Sequence, residues 1–183
     1  MKILKKHILS FTNGSASPQT KKGGYGYVIK NYHLSDLIPR SANQKTNHNK
    51  MEIQALIEVF EKIEPQKNPA LIFVTSDYIY NCLIGRYRKK SNKTKWEKLD
   101  SLIKKFKNNG GSYKVYLFKS KLKDTKKDAK KAMKIFNKKN KKSNIKYLNK
   151  ISKISKIELF KEIIRCFEFA HDDAVSGRKT CKI

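Results

Sequence analysis

Phe11-Thr12-Asn13-Gly14-Ser15-Ala16, continued across a Pro/Lys loop by Gly23-Gly24-Tyr25-Gly26-Tyr27-Val28-Ile29, is the stretch on which the fold turns. Ile8 to Thr12 predicts a β-strand, the loop a tight turn, and the Gly-Tyr-Gly run the strand that returns beside the first. Outward from this hairpin, Asn31 to Ile38 predicts a third strand, with Tyr32, Leu34 and Leu37 available to one face and Pro39 ending it. Ser41 to Asn49 reads as polar loop. Lys50 to Phe60 then places Met51, Ala55, Val59 and Phe60 at helical spacing, closed off by Pro65 and Pro69.

Ala70-Leu71-Ile72-Phe73-Val74-Thr75 is a continuous apolar run of strand length, as a strand covered on both faces should be, and it ends at Ser76-Asp77. A short helix, Tyr78 to Ile84, and a basic linker, Lys89 to Lys95, precede an amphipathic helix from Trp96 to Phe106 that Asn108-Asn109-Gly110-Gly111 stops. Tyr113 to Phe118 alternates as a last strand. Lys119 to Lys156 holds sixteen Lys and two Asp, so half of the chain's net charge, and predicts a solvated helix followed by a lysine-rich loop. From Ile157, the positions Leu159, Phe160, Ile163, Ile164, Phe167 and Ala170 predict a helix that delivers His171-Asp172-Asp173-Ala174-Val175-Ser176-Gly177. Strands and helices in this order imply an α/β fold: a mixed five-stranded sheet flanked by helices.

The 183 residues suit one domain, 1–183, with a modest lysine-rich insertion at about 119–156 before the last helix. Lys and Arg number 43 against 15 Asp and Glu, a net charge of +28 that points to a polyanionic partner, nucleic acid first. An anionic membrane is the weaker candidate, because no basic stretch carries an unbroken apolar face. Cys82, Cys166 and Cys181 show no zinc spacing, and their odd number argues against a secreted disulfide framework. No run approaches the roughly 20 apolar residues of a membrane span. The expectation is an intracellular, soluble protein with no obligate protein partner evident.

Four motifs, taken in order over about the first 118 residues, resemble type 1 ribonuclease H. Thr12-Asn13-Gly14-Ser15 is similar to that family's Thr-Asp-Gly-Ser, whose Asp is the first metal ligand. Asn49-Lys50-Met51-Glu52-Ile53 resembles its Asn-Arg-Met-Glu-Leu. Thr75-Ser76-Asp77, with Tyr80 three residues on, is similar to Thr-Asp-Ser-x-Tyr, and Trp96-Glu97-Lys98-Leu99-Asp100 to Trp-x-x-Leu-Asp. The resemblance implies the ribonuclease H-like fold and a two-metal endonuclease, with two Mg²⁺ ions for which Mn²⁺ can substitute. The activity the resemblance implies is hydrolysis of the RNA strand of RNA/DNA hybrids.

Such chemistry requires carboxylates from different elements to converge at the end of the sheet, since Mg²⁺ prefers hard oxygen ligands and is shared with a phosphate. Glu52 at a helix start and Asp77 at a strand end fit that demand. Singly, each is equally well read as a dipole-favoured Glu and a helix-capping Asp. For the fourth carboxylate the family's spacing would select Asp128. His171-Asp172-Asp173 resembles instead the His-Asp-Asp run that ends the nuclease domains of viral terminases, and Asp172 or Asp173 is preferred. The expected metal ligands are Asn13, Glu52, Asp77 and Asp173, with Asp172 and His171 as further catalytic candidates.

Asn13 departs from the pattern. It keeps the shape of Asp and one carbonyl oxygen but lacks the charge, so the chain as written is expected to bind substrate and cut poorly. Whether the residue was introduced to hold substrate uncleaved or reflects natural loss of activity is left open; the intact remaining motifs favour the former. Hybrid recognition would rest on minor-groove contacts to 2′-hydroxyls. Candidates are Gly14, Ser15, Asn47, His48, Asn49 and Tyr80, with Arg86, Arg88, Lys89 and Lys90 in the place of the family's basic protrusion. Rival partners are structured DNA, for a junction resolvase or DNA nuclease of the same fold, and nucleic acid held by a catalytically inert module.

Overall fold

The computed structural model describes residues 7–30, 41–43, 46–118, 125–152 and 154–180. β1 (Leu9–Ala16) and β2 (Gly23–Lys30) form the expected hairpin, antiparallel, with Asn13 opposite Gly26. β4 (Ala70–Val74) pairs parallel to β1, and β5 (Tyr113–Leu117) parallel to β4. The third strand expected over Asn31–Ile38 lies outside the described residues. A three-residue strand, β3 (Ser41–Asn43), pairs antiparallel with β2 inside the stretch read as polar loop. The sheet order is β3-β2-β1-β4-β5.

The helices are α1 (His48–Lys62), α2 (Asp77–Leu83), α3 (Lys93–Asn108), α4 (Lys126–Lys139), α5 (Lys142–Ile151) and α6 (Lys156–Thr180). Side chains alternate across each strand, and the two faces feed two separate cores. Ile8, Tyr27, Ile29, Ile72 and Val74 meet α1 and α3 on one face. Leu9, Phe11, Val28, Phe73 and Tyr116 meet α4 and α6 on the other. That second core is held by a ladder of rings. Phe11, Phe73 and Tyr116, neighbours across three strands, stack at 4.8 and 4.9 Å, and Phe136 of α4 continues the stack at 5.6 Å.

The lysine-rich stretch differs from expectation at its second half, where α5 replaces a loop. Two asparagines explain it. Asn140 accepts from the Leu117 amide at 2.7 Å and donates to the Leu117 carbonyl at 2.9 Å, pairing with the open edge of β5 as another strand would. Asn144 donates to Val115 O at 3.1 Å, and the Tyr116 hydroxyl donates to Asn144 O at 3.1 Å. The edge is thereby covered, which removes a template for aggregation. Leu148 is buried beside them, and His7 Nε2 lies 2.9 Å from the Tyr147 hydroxyl, tying α5 to the start of β1.

Candidate active site

α6 lies almost on the backbone of β2, and glycines make that approach possible. A Cβ at Gly26 would stand 2.2 Å from Ala170 O and 2.8 Å from the Asp173 Cβ; one at Gly24 would stand 2.4 Å from Ala174 O and from Arg178 N. The helix answers with small residues at the same face: Ala170, Ala174 and Gly177. Asp173 thus occupies the space a side chain at position 26 would take, and Asn13 sits opposite Gly26 in the ladder. Asn13 Nδ2 donates to His171 Nδ1 at 3.3 Å. Asn13 and Asp173 are both buried, whereas Asp172 and His171 are exposed.

Gly14 performs the same service on the other face. A Cβ there would be 2.5 Å from His48 O and 2.6 Å from Glu52 N, so the first turn of α1 rests on β1. Asn47 caps that turn, accepting from Lys50 N at 2.8 Å. Glu52 is fully buried and bound to the end of β4: one carboxylate oxygen accepts from Thr75 N at 2.6 Å and from its hydroxyl at 3.1 Å, the other from Ser76 N at 3.1 Å. His48 Nε2 lies 3.8 Å from the second oxygen. The Ser76 hydroxyl donates to Asn49 Oδ1 at 2.9 Å and accepts from Ile79 N at 3.3 Å as the cap of α2.

The structure therefore brings Asn13, His171 and Asp173 together and fastens Glu52 to Thr75 and Ser76. It does not draw Asp77 into that group by any contact shown. Asp77 opens α2 half-exposed, and its Oδ1 lies 3.6 Å from Lys139 Nζ at the end of α4. Among the described residues no group of three or more His, Cys, Asp or Glu side chains is arranged to hold a metal ion. Of the expected ligand set Asn13, Glu52, Asp77 and Asp173, position 13 supplies an amide and Asp77 lies beside a lysine. Asp128, the alternative fourth carboxylate, sits half-buried in the first turn of α4.

Several expected nucleic-acid contacts prove to have structural work. Tyr80 is 1% exposed in the core beneath α2, where burial holds its hydroxyl pKa above the ordinary value. Gly14 is buried under the first turn of α1, and Ser15 is buried as well. Asn47 and Asn49 spend their side-chain oxygens on Lys50 N and the Ser76 hydroxyl. Lys89 binds Asp100 at 2.5 Å and lies 4.9 Å over the Trp96 ring. Arg86, Arg88 and Lys90 remain exposed, and between the arginines stands Tyr87, an exposed ring that the sequence reading passed over. The alternation Arg86-Tyr87-Arg88 was the available signal: a basic turn with a stacking group inside it.

A profile described as RNase H matches residues 5–161. The Ribonuclease H of Chlorobium phaeobacteroides is 28% identical over 96 residues, 51% of this chain and 63% of that protein, so the matched stretch spans less than two thirds of that relative's length. The N-terminal RNase H domain of Rv2228c from Mycobacterium tuberculosis, solved as a fusion with maltose binding protein, superposes with a TM-score of 0.50 at 18% identity. That match covers 61% of this chain and 82% of the other. LC11-RNase H1 in complex with an RNA/DNA hybrid gives 0.49 at 20% identity, over 72% and 94%. With a mixed α/β sheet in which β1 lies between β2 and β4, and a profile match over most of its length, the chain belongs to the RNase H family.

Proposed function

We propose that the chain is a hybrid-binding endonuclease scaffold of the RNase H type, directed at the RNA strand of RNA/DNA hybrids, whose hydrolytic step is held back by the amide at Asn13. The observation that carries the reading is the placement of Asp173 and His171 against Asn13, built by Gly26 on one side and Ala170 and Ala174 on the other. That is a costly arrangement to keep for packing alone, since it buries a carboxylate. Family membership supports the nuclease class.

The residues present do not fit a pair of Mg²⁺ ions, because the donor set offers an amide at position 13 where a carboxylate is required. What the chain's own groups do can be stated without the metal. Glu52 locks α1 to the end of β4 and fixes the mouth of the site. Asp173 supplies the buried carboxyl group beside position 13. His171 stands on the exposed side of Asn13, where a proton can be exchanged with water. An Asp at 13 would add a second carboxylate beside Asp173, the minimum for recruiting a hard divalent cation.

One set of observations favours a second reading, a catalytically inert nucleic-acid-binding module. Asn13 is hydrogen-bonded to His171, and Asp77 is paired with Lys139, so these two groups are satisfied with no metal. An Asn13→Asp variant, given an RNA/DNA hybrid, duplex DNA and a four-way junction with Mg²⁺, separates the readings. Cleavage of the hybrid's RNA strand supports the proposal. Preferential junction cutting would assign a resolvase, and binding without cutting would assign the inert module.

A further inference from the structure

A second charged surface lies outside the Asn13 site, on α4 and α5. Between 126 and 150 the chain carries eleven lysines, all exposed, and one acid, Asp128. The arrangement on α4 is ordered. Its buried residues are Ala129, Ala132 and Phe136, and at about 3.6 residues per turn Lys127, Lys130, Lys131, Lys134 and Lys138 fall in one stripe centred on the opposite side. The neighbours three and four apart within that stripe are all lysines, a spacing at which like charges repel and weaken a helix.

Packing carries that repulsion. Phe136 stacks on Tyr116 and meets Phe160 edge-on at 5.2 Å, Thr125 caps the first turn, and Asn140 clamps the last to β5. The charges are thus held in place before any partner arrives, which lowers the ordering cost of binding. The stripe exposes no aromatic ring on which unpaired bases could stack. It exposes no large apolar side chain that could enter a lipid surface. What remains is regularly spaced positive charge, complementary to phosphates fixed in a duplex. The C-terminal end of the helix reaches the end of β4 beside the Glu52 network, since Lys139 lies 3.6 Å from Asp77, the residue after Ser76. α4 itself is about 20 Å long.

We infer that the lysine stripe of α4 is a second phosphate-binding surface, which tracks the backbone of a nucleic-acid duplex beyond the segment held at the Asn13 site. This rests on reading the chain as a duplex-binding protein, but not on its cutting anything. Both surfaces then act on one ligand, so their contributions depend on duplex length.

The test replaces Lys127, Lys130, Lys131, Lys134 and Lys138 together by Gln in the full chain, with helix content and melting temperature checked against the parent. Binding to an RNA/DNA hybrid and a DNA duplex, each of about 30 base pairs, is measured across a salt series. At about 0.9 per phosphate neutralised, the slope of log K against log salt is expected to become shallower by about 3–4. On a hybrid of about 8 base pairs the change should shrink to about 1 or less. An unchanged slope on the long duplexes, equal losses on long and short, or binding by the parent only to phosphatidylserine vesicles would each overturn the inference. A shallower slope with no hybrid cleavage by Asn13→Asp would uphold it while removing the nuclease reading.

Discussion

Between Asn13 and the Asp that the fold's pattern calls for there is one unit of charge and almost no change of shape, so the residue can be exchanged without disturbing the strand around it. Gly26 is the reverse case. Adding one carbon there meets Ala170 O at 2.2 Å and Asp173 Cβ at 2.8 Å, and neither the helix backbone nor the buried carboxylate can give way cheaply. Gly26→Ala is expected to destabilise the fold by about 1–3 kcal/mol, read by urea denaturation, with a parallel loss of any activity regained at position 13. His7 provides a pH test at the same scale. Burial holds its pKa below the ordinary 6.5, so the unfolded chain takes up the proton first. Its contribution to stability is complete above about pH 6.5 and declines as pH falls through that window. Replacing it in His7→Gln should flatten the stability profile there; an identical profile would show that His7 is not the titrating group.

At the scale of elements, β1, β2, α1 and β4 were legible because their motifs and their periodicity agree. Residues 41–43 are too few and too polar to announce a strand, and β3 exists through its pairing with β2 rather than through its own composition. α5 was read as loop because Lys142, Lys146 and Lys150 outweigh Ile145, Leu148 and Ile151 in any local window. What fixes its position is non-local: Asn140 and Asn144 bonding to the edge of β5. The same limit governed the site. The run His171-Asp172-Asp173 was visible, but which carboxylate faces Asn13 is decided by a glycine about 150 residues earlier in the chain, through sheet register and helix packing. Tyr80 stands at a motif's spacing from Asp77, while its burial belongs to the core under α2. Asn140→Ala removes bonds to both the amide and the carbonyl of Leu117. The change is expected to cost about 1–3 kcal/mol, since buried backbone groups lose their partner. Denaturation midpoints and light scattering would check it, the latter because the β5 edge becomes available for pairing.

Over the whole molecule, one sheet separates two cores with different tasks. The face under α1 and α3 carries Glu52 and the capping network at the end of β4; the face under α4 and α6 carries Asp173, His171 and the lysine layer. Half of the net charge of +28 falls within residues 119–156, and it makes binding to a polyanion steeply dependent on salt. The central claim is that position 13 lacks the one carboxylate charge that recruiting a divalent cation beside Asp173 would require. The measurement that bears on it most directly is metal-dependent hydrolysis of an RNA/DNA hybrid by three proteins side by side: the parent, Asn13→Asp, and Asn13→Asp combined with Asp173→Asn. The account expects Asn13→Asp to cut the RNA strand at least about 100-fold faster than the parent, in the range of a restored electrostatic contact at an active site. It expects the second substitution to return the rate to the parent's level. No Mg²⁺-dependent cleavage by Asn13→Asp, in a protein that still binds the hybrid and melts normally, would contradict it.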